Sequence, residues 1–271
     1  MKFSVLIAVY AKEEPAHLEQ SLESIFRQEL PPDEVVLVED GPLTAALDEV
    51  VARFKAQHET LHIVKLPQNQ GLGIALKEGL AHCQYDLVAR MDSDDIAMPQ
   101  RFSKEKAWLE AHPETDVVGA WTDEFADASG QVISTRKVPE THEALLRFSR
   151  YRNPMNHPTV MFRKAAVERA GGYRHRELFE DYDLWVRMLQ QGARFHNLQE
   201  PLLMFRLSPQ LYGRRGGWHY ILLENAFQRW MYQVGHISGL RMAGNITART
   251  LIRLIPDRWR KYGYLFFLRR Q

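Results

Sequence analysis

The residues that decide the fold are Asp86-Leu87-Val88-Ala89-Arg90-Met91-Asp92-Ser93-Asp94-Asp95. An apolar run typical of a buried strand leads directly into three carboxylates within four positions. Because an unpaired carboxylate is costly to bury, we expect the acids where the strand leaves its sheet. In an open α/β sheet, ligands bind at that carboxyl edge. Clustered carboxylate oxygens suit a hard divalent cation, which commonly carries phosphates with it. A solvated acidic turn is the alternative interpretation.

The composition of the chain is typical of a globular protein of one large domain or two small ones. It has 271 residues, of which 45% are hydrophobic and 25% charged. The single cysteine, Cys83, excludes an internal disulfide framework and favours a reducing, cytoplasmic compartment. No run approaches 18 consecutive apolar residues, so no transmembrane helix is expected.

Charge is distributed unevenly along the chain. From Pro201 onward there are 12 Lys and Arg against 2 acids, a balance of +10, whereas the first 200 residues carry 23 against 32, or −9. Such asymmetry indicates a surface for an anionic partner. Nucleic acid and an anionic membrane are both candidates on charge alone.

Three strand–helix units precede the acidic strand. Their strands are predicted at Phe3–Val9, Glu34–Val38 and Leu61–Leu66, and their helices open at Pro15, near Leu43 and after Asn69-Gln70-Gly71-Leu72-Gly73. This alternation predicts a parallel, right-handed α/β half. The strand ends, Ala8-Val9-Tyr10, Glu39-Asp40 and the acidic turn, are then expected along one edge of the sheet.

After Pro99 the pattern changes. A helix is predicted from Gln100 to His112, then an antiparallel hairpin of 116–125 and 131–138 with its turn at 127–130. Helices are predicted at 140–151, before Gly171 and from Glu180, with an extended segment at 194–206. From Gly217 the sequence is helical and basic. The acids at 180–183 can be read simply as a charged helix N-terminus.

Four motifs carry a resemblance to a known family. They are Ser4-Val5-Leu6-Ile7-Ala8-Val9-Tyr10, Val38-Glu39-Asp40-Gly41, Arg90-Met91-Asp92-Ser93-Asp94-Asp95 and Glu180-Asp181, supported by Asn69-x-Gly71 and His157-Pro158. In this order, between Lys2 and Arg206, the chain resembles the family 2 glycosyltransferases with the GT-A fold, especially bacterial enzymes of surface-polysaccharide assembly.

The resemblance implies a fold and a domain division. It implies a GT-A, Rossmann-like, mostly parallel sheet flanked by helices, with a smaller antiparallel part on the acceptor side and a helical C-terminus. Residues 1–210 would form the glycosyltransferase domain, divided into a nucleotide-sugar-binding half at 1–98 and an acceptor-binding half at 99–210. Residues 211–271 would form a basic helical extension.

The resemblance also implies the roles of individual residues. Asp92 and Asp94 would form a D-x-D element that binds the metal, and Asp181 would be the general base, with Glu180 and Asp183 as the next candidates. His157, Glu180 and Arg206 are candidate substrate contacts, although a structural histidine is an equally good interpretation of His157. The nucleotide-sugar pocket would be lined by Ala8, Val9, Tyr10, Asp40, Asn69, Gly71, Arg90, Asp92, Ser93 and Asp94.

These roles predict an inverting, metal-dependent transferase. A bound Mn²⁺ or Mg²⁺ stabilises the charge that builds on a departing diphosphate, and a carboxylate deprotonates the acceptor hydroxyl. The resemblance favours a UDP-sugar donor, a lipid-linked or saccharide acceptor, and no nucleic acid. The alternatives are a sugar-1-phosphate nucleotidyltransferase, disfavoured because no glycine follows the first strand, and a non-catalytic nucleotide-sugar-binding protein.

The basic tail suggests where the protein works. Apolar side chains and arginines alternate between Arg241 and Arg270, a composition that favours burial at an anionic membrane surface. This pattern predicts a cytoplasmic protein in peripheral contact with the inner face of the membrane. A basic helix folded back on the domain is the alternative.

Overall fold

A computed structural model describes residues 1–126, 130–207 and 217–254. In these residues one mixed sheet contains the strands β1 (Phe3–Val9), β2 (Glu34–Glu39), β3 (Leu61–Lys65), β4 (Leu87–Asp92), β5 (Ile96–Ala97), β6 (Val117–Ala126), β7 (Val132–Arg136), β8 (Met161–Arg163) and β9 (Phe195–Leu207). The helices are α1 (Pro15–Phe26), α2 (Ala45–Gln57), α3 (Leu72–His82), α4 (Arg101–Ala111), α5 (His142–Phe148), α6 (Lys164–Arg169), α7 (Glu180–Gln190), α8 (Gly217–Gln233) and α9 (Gly239–Leu254). The predicted α/β class is confirmed.

The first half is the parallel unit that the alternation predicts. Its strands lie in the order β3-β2-β1-β4, and all three pairings are parallel. Apolar residues of α1 and α2 cover one face, and those of α3 cover the other, which explains the uninterrupted apolar strands. In register, Ala8 pairs with Asp92 and Val9 with Glu39. The three strand ends therefore do meet along one edge.

The second half extends the same sheet with strands of both directions. β8 is antiparallel to β4 and to β6, and the predicted hairpin of β6 with β7 is present. The long β9 runs parallel to β6 from Val117↔Phe195 to Ala126↔Leu207, a pairing that the sequence pattern does not indicate. The predicted hairpin turn at 127–130 lies mostly outside the described residues.

The two C-terminal helices belong to the folded unit. Phe179, Tyr182 and Val186, on and before α7, share an apolar cluster with Phe227 and Met231 of α8. Apolar side chains from before and after residue 210 therefore pack in one cluster. The predicted domain bounds themselves stay a prediction. Within the described ranges, no helix is long and apolar enough to cross a bilayer.

Candidate active site

The acidic turn lies at the carboxyl end of β4. Carboxylate oxygens of Asp92, Asp94 and Asp95 all lie within 4.8 Å of one another. Burial, followed by the charges of Asp92 and Glu13, raises the pKa of Asp94 to about 7. Burial, followed by the charges of Asp94 and Asp92, raises the pKa of the fully buried Asp95 well above its ordinary value. Three carboxylates this close repel one another unless a cation or protons neutralise them.

Side chains from the loop after β1, from α1 and from β9 hold this turn. The Ser93 hydroxyl donates to Glu13 Oε2 at 2.5 Å, and the Ser21 hydroxyl of α1 donates to the Asp92 carbonyl at 2.8 Å. Glu13 is not among the site residues predicted from the sequence. Its position, four residues beyond the β1 strand end, is the signal that could have found it, because β1 ends at the same edge as β4.

Arg206, a candidate substrate contact from the sequence, braces the turn from β9. Its Nε donates to the Asp94 carbonyl at 2.7 Å, and its backbone N–H donates to Asp95 Oδ1 at 2.9 Å. Its side chain also reaches Gln20 of α1 and lies over the Phe125 ring. At 3% exposure, Arg206 is placed to position the acids. Its predicted contact with substrate remains a prediction.

Arg90 lies on β4 between the two groups of acids. It is 1% exposed, and its Nη2 donates to Asp92 Oδ1, whereas its Nε and Nη1 have no hydrogen-bond partner in the described structure. Its positive charge lowers the pKa values of Asp94 and Asp181 against the larger effect of burial. The buried charge of Arg90 thus acts on both Asp94 and Asp181.

Asp40 organises the loop that opens α3. One oxygen accepts the Gln70 backbone N–H at 2.7 Å, and the other accepts Asn69 Nδ2 and the Gly71 N–H, each at 3.0 Å. Gly71 has φ +86, a conformation that glycine adopts without steric cost. The predicted pocket residues Asp40, Asn69 and Gly71 therefore form one bonded unit beside the β1 end, where Tyr10 is half-buried.

The loop before α7 packs closely on the start of α3. A Cβ at Gly73 would lie 2.3 Å from the carbonyl oxygen of Arg174, so only glycine allows this approach. The ring of His175 lies near Gly71, 3.6 Å from the position a Cβ would occupy there. The loop that leads to Glu180 and Asp181 is thereby brought to the edge of the predicted nucleotide pocket.

Glu180 and Asp181 begin α7 as two half-buried acids. Burial, then the charge of Asp181, raises the pKa of Glu180 to about 7. Burial also raises the pKa of Asp181, opposed by hydrogen bonds from Asn153 and from the Tyr182 backbone N–H. A carboxylate with a raised pKa accepts a proton more readily than an ordinary aspartate, which suits a general base. Asp183 is instead committed to ion pairs with Arg176 and Arg187.

His157 has a structural environment. It is 9% exposed, its Nε2 lies 2.9 Å from the Tyr173 hydroxyl, and its ring meets Trp185 edge to face. Burial, then the charge of Arg90, lowers its pKa well below the ordinary value, so it is neutral at pH 7. The structure thus supports the interpretation of His157 as a hydrogen-bonded core residue. Its direct contact with substrate is not tested.

A divalent cation fits the acidic turn. The three carboxylates offer only oxygen ligands, and Asp95 Oδ2 is a buried oxygen without a hydrogen-bond partner in the described structure. Mn²⁺ and Mg²⁺ prefer such ligands and complete their coordination with phosphate oxygens and water. Asp95, which is not part of the predicted D-x-D element, is placed as closely in the group as Asp92 and Asp94.

Comparison with known proteins decides the family. The sequence profile described as "Glycosyl transferase family 2" matches residues 4–171. The chain belongs to the family 2 glycosyltransferases. It is 39% identical to the amylovoran biosynthesis glycosyltransferase AmsE of Erwinia amylovora, over 97% of each chain. It is 36% identical to the UDP-Gal:alpha-D-GlcNAc-diphosphoundecaprenol beta-1,3-galactosyltransferase of Escherichia coli, over 99% of this chain and 97% of that one.

Solved structures support the same fold. The TarS 1–349 structure of S. aureus in complex with UDP-GlcNAc matches all of this chain over 77% of its own, with a TM-score of 0.68 and 19% identity. The mannosyltransferase PcManGT of Pyrobaculum calidifontis in complex with GDP-Man and Mn²⁺ matches 96% of this chain over 71% of its own, with a TM-score of 0.65 and 16% identity. The GT-A fold is therefore confirmed, and this family 2 enzyme is a glycosyltransferase whose relatives include enzymes of bacterial polysaccharide biosynthesis.

Proposed function

We propose that this glycosyltransferase inverts the donor configuration and moves a hexose from a UDP-sugar to a hydroxyl of a lipid-linked saccharide during bacterial surface-polysaccharide synthesis. The observation that carries the proposal is the presence of carboxylates at two separate places with different surroundings. The acidic turn after β4 is crowded and suited to a cation, whereas Asp181 stands at a helix start with a raised pKa. One group suits the diphosphate and the other suits the acceptor.

On the donor side, residues of this chain would hold the nucleotide diphosphate. Asp92, Asp94 and Asp95 would bind Mn²⁺ or Mg²⁺, which stabilises the negative charge of the leaving diphosphate. Arg206 and Ser93 keep the turn in place for this task. The bonded loop at Asn69–Gly71 would form the wall of the pocket beside the base and ribose.

On the acceptor side, Asp181 would take the proton of the attacking hydroxyl. A single displacement at the anomeric carbon inverts its configuration and needs no covalent nucleophile. General-base assistance is typically worth about 10²–10⁴-fold in rate. Glu180, whose pKa is raised to about 7, is partly protonated at neutral pH, and its protonated form would donate a hydrogen bond to a sugar hydroxyl.

The donor and the acceptor are inferred from relatives. The Escherichia coli relative, by its name, transfers from UDP-Gal to a GlcNAc carried on diphosphoundecaprenol. The similarity spans nearly the whole of both chains, so the same substrate class is proposed here. The informative substrate pair is a UDP-hexose with GlcNAc linked through α-diphosphate to a short alkyl chain.

The test is sugar transfer to that acceptor, measured as product formation with Mn²⁺ and with EDTA. Asp181→Asn is expected to keep the affinity for UDP within about twofold and to lower kcat by at least about 10²-fold. If Asp181→Asn turned over at the wild-type rate, the base assignment would pass to Glu180. A protein that bound UDP with Mn²⁺ but lost no function on this substitution would support a non-catalytic binding role.

Donor identity can be screened without any acceptor. UDP, GDP, CMP and dTDP, each with Mn²⁺, Mg²⁺ or EDTA, are compared by thermal shift, because a ligand that binds only the native state raises the melting temperature. A shift with UDP that disappears in EDTA is expected. A larger shift with GDP would contradict the proposed donor. Formation of a nucleotide-sugar from sugar-1-phosphate and UTP would favour the nucleotidyltransferase instead.

We further propose peripheral contact with an anionic membrane, where a lipid-linked acceptor resides. In the described part of the basic tail, Arg249 and Arg253 pair with the buried Glu224 of α8, whereas Arg241 is exposed and Leu251 is 60% exposed. Exposed apolar side chains also stand on α8, where Trp218 is 70% exposed and Leu222, one turn later, is 66% exposed. The rest of the predicted tail, 255–271, lies outside the described residues.

The membrane contact is tested by sedimentation of the full chain with phosphatidylglycerol vesicles at low salt. Replacing Trp218 and Leu222 together by Ser is expected to reduce binding severalfold, because an aromatic and an apolar side chain are lost from the interface. The same change at Val132 and Ile133, 51% and 52% exposed on β7, is the matched control. If both double variants sedimented equally with the vesicles, α8 would not be the membrane contact.

A further inference from the structure

We infer that Asn153 positions the Asp181 carboxylate, and that the C-terminal helices α8 and α9 hold Asn153 in place by gripping the chain segment that precedes it. This inference rests on the proposed role of Asp181 as the general base. It assigns the C-terminal helices to the catalytic unit of the enzyme.

Both oxygens of Asp181 accept a hydrogen bond from a fixed donor. Oδ1 accepts the backbone N–H of Tyr182 at 2.7 Å, and Oδ2 accepts the side-chain amide of Asn153. The Asn153 amide is itself oriented, because its Oδ1 accepts the Met155 N–H at 3.3 Å. The carboxylate plane is therefore set by one donor from its own helix and one from a distant segment. A base must point at the hydroxyl it deprotonates, so this orientation matters for the rate.

The bond from Asn153 also favours the ionised, proton-accepting form of Asp181. Burial raises the pKa of this carboxyl, and the Asn153 bond is the largest influence that lowers it, followed by the Tyr182 N–H and the charges of Arg90 and Arg136. The neighbouring Glu180 is the other acid that interacts with Asp181, and the buried phenols of Tyr173 and Tyr182 interact with it. Removing the Asn153 amide is therefore expected to raise the pKa of Asp181 further, because less opposes the effect of burial.

Asn153 is carried by a segment whose backbone is gripped at three consecutive carbonyls. The Tyr182 hydroxyl donates to the Ser149 carbonyl at 2.5 Å, Asn245 Nδ2 donates to the Arg150 carbonyl at 2.9 Å, and Arg249 donates to the Tyr151 carbonyl. Two of these three donors come from α9. The Ser149 hydroxyl lies in addition 2.9 Å from His236 Nε2, in the turn between α8 and α9.

The donors on α9 are anchored on α8. Asn245 is 8% exposed, and its Nδ2 also donates to Gln228 Oε1 at 2.9 Å. Arg249 pairs with Glu224, which is 2% exposed. Buried polar side chains are costly unless they are bonded, so these pairs specify one arrangement of the helices. The route from α8 through α9 and residues 149–151 to Asn153 and Asp181 is therefore a chain of direct contacts.

The first test is Asn153→Ala in the full-length enzyme. Loss of a hydrogen bond to an ionised carboxylate is expected to lower kcat about 10- to 100-fold, while the UDP-sugar KM and the UDP affinity stay within about twofold. The acid limb of the pH–kcat profile is expected to move to higher pH, because the base now binds its proton more tightly. Asn153→Asp, which has the same shape, adds a negative charge and is expected to move the limb further.

The second test is a double-mutant cycle with Asn245. Asn245→Ala is expected to lower kcat about 3- to 10-fold and to move the acid limb in the same direction. In an Asn153→Ala background it should have no further effect on kcat, because its influence passes through Asn153. Thr247→Ala, an exposed position two residues along the same helix, is the matched control with wild-type kinetics.

Each outcome decides the inference. A wild-type kcat and pH profile for Asn153→Ala, beside an inactive Asp181→Asn, would overturn it and leave the proposed function intact. Normal turnover of Asp181→Asn would overturn both the base and its positioning. If Asn153→Ala proved too unstable to assay, a wild-type profile for Asn153→Asp would overturn the inference equally. If the losses in kcat from Asn153→Ala and Asn245→Ala were fully additive, α9 would act independently of Asn153, and its proposed role in holding Asn153 would be overturned.

Discussion

Replacing Asp94 by Asn should make the cation-free protein more stable while abolishing its stabilisation by metal and nucleotide. In the absence of a cation, burial, followed by the charges of Asp92 and Glu13, raises the pKa of the Asp94 carboxyl to about 7. Asparagine has nearly the same shape and no charge. The substitution therefore removes a buried charge and its repulsion with the neighbouring acids.

The magnitude follows from the pKa. A rise from 3.8 to about 7 corresponds to about 4 kcal/mol of destabilisation above pH 7, at about 1.4 kcal/mol per unit. Because Asp92 and Asp95 share the repulsion, about half of this, or ~2 kcal/mol, is expected for one substitution. For a chain of this size the melting temperature should rise by about 5 °C.

The pH dependence has a definite sign. Well below pH 3.8, the ordinary pKa of the group, the carboxyl is protonated in the folded and unfolded states, and wild type and variant should melt together. As the pH rises through the folded pKa, wild type loses stability that the variant keeps, so the difference should open between about pH 4 and pH 7 and stay constant above.

The assay is thermal unfolding in EDTA across this range, repeated at pH 8 with saturating Mn²⁺ and UDP. With ligand, wild type should gain about 2.7 kcal/mol at 100 times the dissociation constant, and the variant should gain almost nothing. Asp86→Asn, an exposed aspartate before the other end of β4, is the control. A variant that melts no higher than wild type in EDTA at pH 8 would show that the acids are not mutually repelled, and would weaken the case for a cation site.

Two further predictions concern residues that pack near the site, namely the buried pair of Arg101 and Glu105 and the glycine at position 73. Glu105→Gln should lower the free energy of unfolding by about 3 kcal/mol, because it leaves the fully buried Arg101 without a counter-charge; urea unfolding measures this, and no change would show that the pair is neutral. Gly73→Ala should lower the melting temperature and kcat together, since its Cβ would lie 2.3 Å from the Arg174 carbonyl. Gly244→Ala, in open space on α9, should instead be neutral or slightly stabilising; equal effects at the two glycines would contradict the packing argument.

Much of the donor half could be predicted from local pattern. Continuous apolar runs such as Glu34–Glu39 can be strands only if both faces are covered, and the helices between them supply the cover. The edge position of Asp92–Asp95 follows from the cost of burying charge. The predicted helix at 140–151 is shorter in the structure, at His142–Phe148, because the chain turns at Ser149 to begin the gripped segment.

The rest of the site depends on contacts between residues far apart in sequence. Asn153 meets Asp181 across 28 positions, and Arg206 meets Asp94 across 112. A hydrogen bond between side chains leaves no periodic pattern in the sequence. The contacts of Asn153 and Glu13 with distant residues therefore could not be predicted from the sequence. Arg206 was recognised as a candidate residue, but its placement under the turn required knowledge that β9 runs beside β6.

By itself, the sequence determined the class of fold, the sheet edge that carries the acids and the family to which the chain belongs. These features follow from local forces, namely the burial of apolar strands, the solvation of carboxylates and the conformational freedom of glycine at Gly71. Only the tertiary structure decided which groups act together. It showed that Asp95 lies with Asp92 and Asp94 in one cluster of carboxylates, that Arg206 holds the turn and that α8 and α9 are packed into the enzyme. The reason is physical, since pKa values and orientation depend on neighbours brought together by packing.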